Sequence, residues 1–193
     1  HATNIAEVKE NMNVAISGSG TIGILIGVFC KLKGANVYII GINDNILNKV
    51  KSLGFETLKA ENCVQEIDKI TNNEKMDIVF EAVGTNESME NCILSTKNKG
   101  TVVAVGNPKD DLSLKKDVYW KVLRKQLIIK GTWNSDYSTK QNDWKEVAEL
   151  MKENNFPFKK LITNTYPLEE SKEAFDLLQD REKEKIKITF INK

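Results

Sequence analysis

The feature that most constrains this chain is the stretch VAISGSGTIG at residues 14–23. Three glycines, Gly18, Gly20 and Gly23, follow one apolar run and precede another. A strand, a glycine turn and a helix in this order are typical of dinucleotide-binding domains. The first glycine permits the tight turn, the second lets the backbone approach a pyrophosphate, and the third lets the helix pack closely on the strand.

The start of this helix is the expected binding point. Free N–H groups and the helix dipole favour an anion there, so we expect Thr21 and Ile22 to donate N–H groups and Thr21 to add its hydroxyl. The same turn could serve another ligand, such as a methyl donor or a gating nucleotide. The strand before the turn, and the helix and second strand after it, favour a dinucleotide.

Strand-like and helix-like segments alternate along the chain. Predicted strands cover residues 12–17, 36–42, 56–59, 77–83, 100–105 and 126–132, and predicted helices cover 21–34, 44–53, 61–72, 87–95 and 114–124. The runs NVYIIGI and DIVFEAV are apolar on both faces, as strands of a buried parallel sheet are. This pattern predicts an α/β fold with a doubly wound parallel sheet.

The end of the chain continues differently. A helix that includes Trp144 is followed by a predicted strand at 160–165, a helix at 168–178 and a strand at 185–191. We expect residues 1–158 to form the dinucleotide-binding domain and residues 159–193 to form a tail. Helical spacing favours core positions for Trp120 and Trp144.

Composition and charge argue against several classes of protein. The formal charge is +1 and no basic stripe is present, so we expect no nucleic-acid partner. No apolar run approaches the roughly 20 residues that span a bilayer, and no signal peptide is visible, so we expect a cytoplasmic protein without membrane contact.

Cys30, Cys63 and Cys92 lie far apart and are expected to be reduced thiols in helices. His1 is the only histidine, which rules out an interior Ser-His-Asp triad and a three-histidine zinc site.

One expected part of a dinucleotide site is missing. An Asp or Glu normally ends the second strand and binds the adenosine ribose hydroxyls, but Gly41 occupies this position. Losing the carboxylate weakens the case for NAD over NADP, yet none of the next four residues is basic, as a 2′-phosphate would require. Asn43 or Asp44 could bind the ribose instead. The balance favours NAD, and NADP stays a candidate.

Four segments carry a family resemblance: GSGTIG (18–23), DIVFEAVG (77–84), GTVVAVGNP (100–108) and VLRKQLIIKGTWNS (122–135). Together they resemble the cofactor domain of the zinc-dependent medium-chain alcohol and polyol dehydrogenases, over nearly the whole chain. The GTWNS block, followed by NDWKE, is most similar to the sorbitol and galactitol-1-phosphate dehydrogenase branch. The resemblance implies a Rossmann-type sheet in the order 3-2-1-4-5-6 and a tail that packs partly on a separate catalytic domain.

The resemblance also implies residue roles, all of them in cofactor binding and none in catalysis or metal ligation. The residues expected to contact the cofactor are Gly18, Gly20, Thr21, Ile22, Gly23, Gly41, Asn43, Val83, Gly84, Val105, Gly106, Thr132, Trp133 and Asn134. Val83 and Gly84 would lie near the adenosine, and Val105 and Gly106 near the nicotinamide ribose. Trp133 could equally be a packing residue.

The family's zinc ligands precede the glycine turn, and in the polyol branch a His–Ala pair follows the third ligand, as His1–Ala2 would here. The resemblance therefore implies the cofactor domain of a longer enzyme that oxidises a secondary hydroxyl of a polyol or polyol phosphate, using zinc and NAD or NADP. Alone, this part is expected to bind the cofactor without turnover. A nucleotide-sensing module without catalytic activity and a zinc-free quinone reductase are the alternatives.

Two expectations concern partners. In the family the sixth strand pairs with its copy across a two-fold axis, so a homodimer through strand 126–132 is expected. The tail should leave apolar side chains uncovered, namely Leu161, Ile162, Phe175 and Leu178.

Overall fold

The computed structural model describes residues 1–139, 141–153, 156–180 and 183–192. The strands are β1 (Asn13–Ser17), β2 (Asn36–Gly41), β3 (Glu56–Lys59), β4 (Met76–Glu81), β5 (Thr96–Ala104), β6 (Ile128–Gly131), β7 (Ile162–Pro167) and β8 (Lys187–Ile191). The first six form a parallel sheet in the order β3-β2-β1-β4-β5-β6. The predicted Rossmann-type order is confirmed.

The helices are α1 (Ala2–Ala6), α2 (Thr21–Leu32), α3 (Asp44–Ser52), α4 (Cys63–Ile70), α5 (Asn86–Ser95), α6 (Lys116–Arg124), α7 (Asp143–Glu153) and α8 (Ser171–Gln179). Helices α2 to α6 cover the two faces of this sheet, whereas α8 packs on β7 and β8. Ile16 of β1 packs with α2 and α3 on one face, whereas the adjacent Ala15 packs with α4, α5 and α6 on the other. Successive side chains point to opposite faces of a strand, so the apolar run of β1 fills both cores.

The main chain follows the predicted alternation, with shifted boundaries. The segment predicted as a helix at 61–72 begins with a short 3-10 turn, Ala60–Asn62, and continues as α4. The predicted strand at 100–105 starts earlier, at Thr96, and its register with β4 is irregular. The predicted core positions of Trp120 and Trp144 are wrong, because these side chains are 46% and 71% exposed.

Each cysteine lies buried in a helix as a free thiol, as expected: Cys30 in α2, Cys63 in α4 and Cys92 in α5. Burial raises the pKa of the Cys30 thiol to about 12, which keeps it protonated and unreactive near neutral pH. No described helix is both long and apolar enough to cross a bilayer.

The tail adds a small parallel pair, β7 with β8. Leu161, which precedes β7, and Ile186, which precedes β8, are 4% and 8% exposed and belong to the core on the α2 face. The expectation that Leu161 is uncovered is therefore wrong, because this side chain packs in the hydrophobic core of the six-stranded sheet. Ile162, Phe175 and Leu178 are 43%, 56% and 50% exposed, as expected.

Candidate functional site

The glycine turn joins β1 to α2 at the carboxyl edge of the sheet. Gly18 has a φ of +126°, which L side chains rarely adopt. A Cβ atom on Gly23 would overlap the carbonyl oxygen of Gly18. The turn and the close packing of α2 on β1 therefore require glycine at both positions, which are two of the predicted site residues.

The N-terminus of α2 has no side-chain cap. Its N-cap is Gly20, and the first N–H groups of a helix, here those of Thr21, Ile22 and Gly23, have no acceptor within the helix. Two neighbouring helices at the same edge do have side-chain N-caps. Asn43 Oδ1 accepts the Ile46 N–H of α3 at 3.1 Å, and Thr85 Oγ1 accepts the Ser88 N–H of α5 at 3.2 Å.

Two cavities flank this turn. The Gly41 cavity, of about 390 Å³, lies between the ends of β1, β2 and β4. Among the predicted site residues, it is lined by Gly18, Gly20, Gly41 and Val83. Ser19 and Ser88 also line it. Its position beside β2 is the place where the adenosine half of a dinucleotide lies in this class of fold.

The Trp133 cavity, of about 380 Å³, lies on the other side of α2. It is lined by the predicted residues Ile22, Val105, Thr132, Trp133 and Asn134. The side chain of Trp133 is 72% exposed, so it does not pack in the core. Each cavity thus receives one group of the predicted residues, and the α2 N-terminus stands between the two groups.

Five predicted residues, Thr21, Gly23, Asn43, Gly84 and Gly106, line neither cavity. The Thr21 hydroxyl donates a hydrogen bond to the Ile186 carbonyl oxygen in the tail, whereas we expected it to face a ligand. A Cβ atom on Gly106 would overlap the backbone nitrogen of Gly84. These two glycines therefore let the turns that follow β4 and β5 approach each other closely.

A buried carboxylate that the sequence prediction missed organises those turns. Glu81, at the end of β4, is 1% exposed. Its Oε1 accepts the N–H groups of Val83 and Gly84, both at 2.8 Å. Its carbonyl oxygen accepts the N–H groups of Val105 and Gly106 at 2.8 and 2.9 Å. One residue thus fixes both turns that were expected to face the cofactor.

The floor of the Gly41 cavity continues from the same carboxylate. The Ser88 hydroxyl donates to Glu81 Oε1 at 2.7 Å and shares a hydrogen bond of 2.9 Å with the Ser17 hydroxyl. This chain of polar groups joins the ends of β1 and β4 through α5. The signal for it was present in the sequence, because a charged residue inside the apolar run DIVFEAV must find buried partners.

A second missed group lies beside the Trp133 cavity. Asp143, at the start of α7, is 4% exposed and accepts from His1 Nδ1 at 2.9 Å, the Asp136 N–H at 2.6 Å and the Gln141 carboxamide at 2.7 Å. Burial opposes ionisation, but the hydrogen bonds from Asp136, Gln141 and Asn4, together with the positive charge of the N-terminal ammonium group, outweigh it and hold the pKa of Asp143 below its ordinary value of 3.8. Asp143 thereby ties the N-terminus to the loop after β6. No spacing in the sequence predicts this contact.

The described part of the chain contains no group of three or more His, Cys, Asp or Glu side chains that could hold a metal ion. The arrangement can instead bind an extended, anionic ligand: an uncapped helix N-terminus lies at its centre and a cavity lies at each side.

Comparison with known proteins agrees with this description. The family model described as zinc-binding dehydrogenase matches residues 21–153. Sorbitol dehydrogenase 1 of Saccharomyces cerevisiae is 25% identical over 186 residues, which cover 91% of this chain and 50% of that protein. The chain therefore spans half the length of this curated relative.

Solved structures show the same fold. Galactitol-1-phosphate dehydrogenase from Escherichia coli superposes with a TM-score of 0.85 at 25% identity, over 97% of this chain and 56% of that one. A structure from Sinorhizobium meliloti 1021, described as a zinc-binding dehydrogenase bound to NADP, gives 0.81 at 21% identity, over 99% of this chain and 55% of that one. The predicted resemblance is confirmed: since the family model matches more than half of its residues, this chain belongs to the zinc-binding dehydrogenase family.

Proposed function

We propose that this chain binds a nicotinamide dinucleotide across the carboxyl edge of its sheet, as the cofactor-binding part of a zinc-dependent dehydrogenase. The observation that carries the proposal is the uncapped N-terminus of α2 between two cavities. A pyrophosphate bridges two nucleosides, so a ligand of this kind matches a central anion site with a cavity on each side.

The residues of the glycine turn and of the two cavities fit a nicotinamide dinucleotide. Gly18 and Gly23 let the backbone and α2 come close enough for N–H groups to contact a pyrophosphate. The adenosine would occupy the Gly41 cavity, and the nicotinamide riboside would occupy the Trp133 cavity. In the second cavity Val105, Thr132, Trp133 and Asn134 would contact the nicotinamide riboside.

The reaction we propose for the whole enzyme is oxidation of a secondary hydroxyl of a polyol or polyol phosphate by hydride transfer to the nicotinamide. Two relatives, a sorbitol dehydrogenase and a galactitol-1-phosphate dehydrogenase, support this substrate class. A zinc ion would act as the Lewis acid that lowers the pKa of the alcohol. Because the described residues gather no metal-ligand set, we propose that this chain alone binds the dinucleotide without turnover.

Calorimetric titration of the chain with NADH, and separately with NADPH, tests the proposal. Binding of at least one of them with a stoichiometry of one is the expected result. The test variant is Thr21→Pro. It introduces a residue type that is tolerated at the first helical position but removes one of the N–H groups of the anion site, together with the hydroxyl bonded to Ile186, and it should weaken the binding. Absence of binding by both dinucleotides would overturn the proposal.

We further propose a homodimer through β6. The order of the sheet leaves β3 and β6 at its edges. β3 carries Glu56 and Lys59, and charged residues protect an edge strand from pairing. β6 also carries Lys130, but its ammonium group donates to the Ile5 carbonyl oxygen and to Glu7. Ile128 and Ile129 of β6 are each 48% exposed, and a second copy of this strand would cover them.

A further inference from the structure

We propose that Asp44, positioned by Lys59, binds the adenosine ribose hydroxyls and makes this site select NAD(H) over NADP(H). The inference rests on the proposed dinucleotide function and assigns its specificity. The acid that normally ends the second strand would then be replaced by one three residues later, at the start of α3.

The first step concerns the end of β2, which is crowded around Gly41. A Cβ atom on Gly41 would lie 2.5 Å from Ser19 Oγ and 2.9 Å from Leu47 Cδ2, closer than real Cβ contacts allow. A side chain at position 41 would therefore require the Ser19 and Leu47 side chains to shift, and glycine itself offers no group to the ribose. Another residue near the cavity must accept the ribose hydroxyls.

The second step separates the two candidates that the sequence leaves open. Asn43 is the N-cap of α3, and its Oδ1 already accepts the Ile46 N–H at 3.1 Å. Turning that oxygen towards a ribose would uncap the helix and leave the Ile46 N–H without its acceptor. Asp44 has no capping role, and its side chain is 75% exposed, so a carboxylate oxygen is accessible to a ligand.

The third step concerns the contact that holds Asp44 beside a residue of the cavity wall. Lys59 ends β3 directly beside Gly41 in the sheet register. Its Nζ donates to the carbonyl oxygen of Ile42 at 2.9 Å and lies 2.8 Å from Asp44 Oδ1. Ile42 lines the Gly41 cavity. The ammonium group thus holds the Asp44 carboxylate next to the backbone of a cavity-lining residue.

The fourth step is the charge that a 2′-phosphate would meet. Of the described residues that line the Gly41 cavity, Glu87 carries a charge and none is a lysine or an arginine. Lys59 is the nearby cation, and its charge is already compensated by Asp44. A phosphate dianion would therefore face two carboxylates against one ammonium group. A ribose diol, in contrast, donates hydrogen bonds to a carboxylate.

The test compares the dissociation constants of NADH and NADPH, measured by calorimetry, for the unmodified chain and three variants. We expect the unmodified chain to prefer NADH. Asp44→Asn should weaken NADH binding about tenfold, the loss of one charge-assisted hydrogen bond, and should leave or improve NADPH binding. Asp117→Asn is the matched control, because it also removes an acid from the first turn of a nine-residue helix, α6, and should change neither constant.

Lys59→Ala decides the role of the ammonium group. If Lys59 only positions Asp44, this variant weakens NADH binding and does not selectively weaken NADPH binding. Preference of the unmodified chain for NADPH, with selective loss of NADPH binding in Lys59→Ala, would overturn the inference while leaving the proposed function intact. Unchanged NADH binding in Asp44→Asn would overturn it as well. If the unmodified chain binds neither dinucleotide, the proposed function fails and the inference fails with it.

Discussion

The hydroxyl of Ser88 donates a hydrogen bond of 2.7 Å to the buried carboxylate of Glu81, so that α5 and the end of β4 share one polar group. The same oxygen also accepts two backbone N–H groups. A buried charge is tolerated only when it is paired or hydrogen-bonded in this way. Glu81 therefore positions the two turns that we propose face the cofactor, and it does not itself need to touch the ligand.

Replacing Glu81 tests this positioning role. Glu81→Ala would leave three donors without their acceptor, two of them buried, and should lower the free energy of unfolding by about 3 kcal/mol, together with a loss of NADH affinity. Glu81→Gln keeps an acceptor oxygen and should recover most of that affinity. Urea unfolding and calorimetric titration measure the two effects.

The control is Ile93→Ala in α5, a fully buried residue whose truncation should cost about 2–5 kcal/mol without touching either turn. We expect it to keep its NADH affinity. Equal loss of affinity in Ile93→Ala and Glu81→Ala would show that Glu81 contributes only to general stability.

Two glycines of α2 should differ in how much stability the chain loses when each is replaced by alanine. Helix propensity alone favours Ala over Gly by about 1 kcal/mol. At Gly23 the new methyl group meets the backbone carbonyl of Gly18, which cannot move aside, so Gly23→Ala should destabilise by about 2 kcal/mol or more. At Gly27 it meets the ends of the Phe55 and Ile39 side chains at 3.0 and 3.1 Å, which can shift.

We therefore expect Gly27→Ala to stay within about 1 kcal/mol of the unmodified chain. Thermal and urea unfolding of both variants provide the comparison. Similar destabilisation by both substitutions would contradict the geometry of the turn.

The Asp143 carboxylate should make stability depend on pH in the acid range. Its pKa is lower in the folded chain than its ordinary value of 3.8, so the unfolded chain takes up its proton first. The stabilisation is complete above that value and is lost as pH falls through the lower folded pKa. Asp143→Asn should be less stable than the unmodified chain at pH 7, and the difference should shrink below about pH 4.

Urea unfolding at pH 7, 5, 4 and 3 measures this difference. Asp110→Asn, at an exposed loop position, is the control and should show no comparable difference at pH 7. A gap between the Asp143 variant and the unmodified chain that stays constant down to pH 3 would contradict the assigned hydrogen bonds.

The proposed dimer is tested at β6. Ile129→Lys places a charge on the exposed edge, which should prevent strand pairing and convert a dimer into a monomer in light-scattering chromatography. Leu112→Lys, at a side chain that is 44% exposed outside any strand, is the control and should keep the dimeric mass. A monomeric unmodified chain, or a dimer that survives Ile129→Lys, would refute this interface.

The strands of the sheet and the glycine turn could be predicted from the sequence, because both depend on residues that are close together in the chain. Val14–Ala15–Ile16 reads as a strand buried on both faces, and the structure buries all three completely. Tertiary contacts decided what the sequence could not show. Ser19 packs closely against Gly41, and Lys59 forms an ion pair with Asp44. No periodic pattern in the sequence predicts either contact.

Trp120 and Trp144 show a different limit. Both lie on helices at apolar spacing, yet helical spacing identifies a face without identifying what covers it. Here the described residues leave both side chains largely exposed, and Trp144 Nε1 donates to Ser135 Oγ at 3.1 Å. The hydrophobicity of the two side chains predicts burial, but the described residues around them do not cover them.

The hydrogen bond from Thr21 to the carbonyl of Ile186 connects the first residue of α2 to a residue far along the chain. A ligand that strengthens this hydrogen bond when it binds at the glycine turn would stabilise the packing of the tail, and by thermodynamic reciprocity a well-packed tail would strengthen the binding of that ligand by the same factor. The tail would then report on cofactor occupancy.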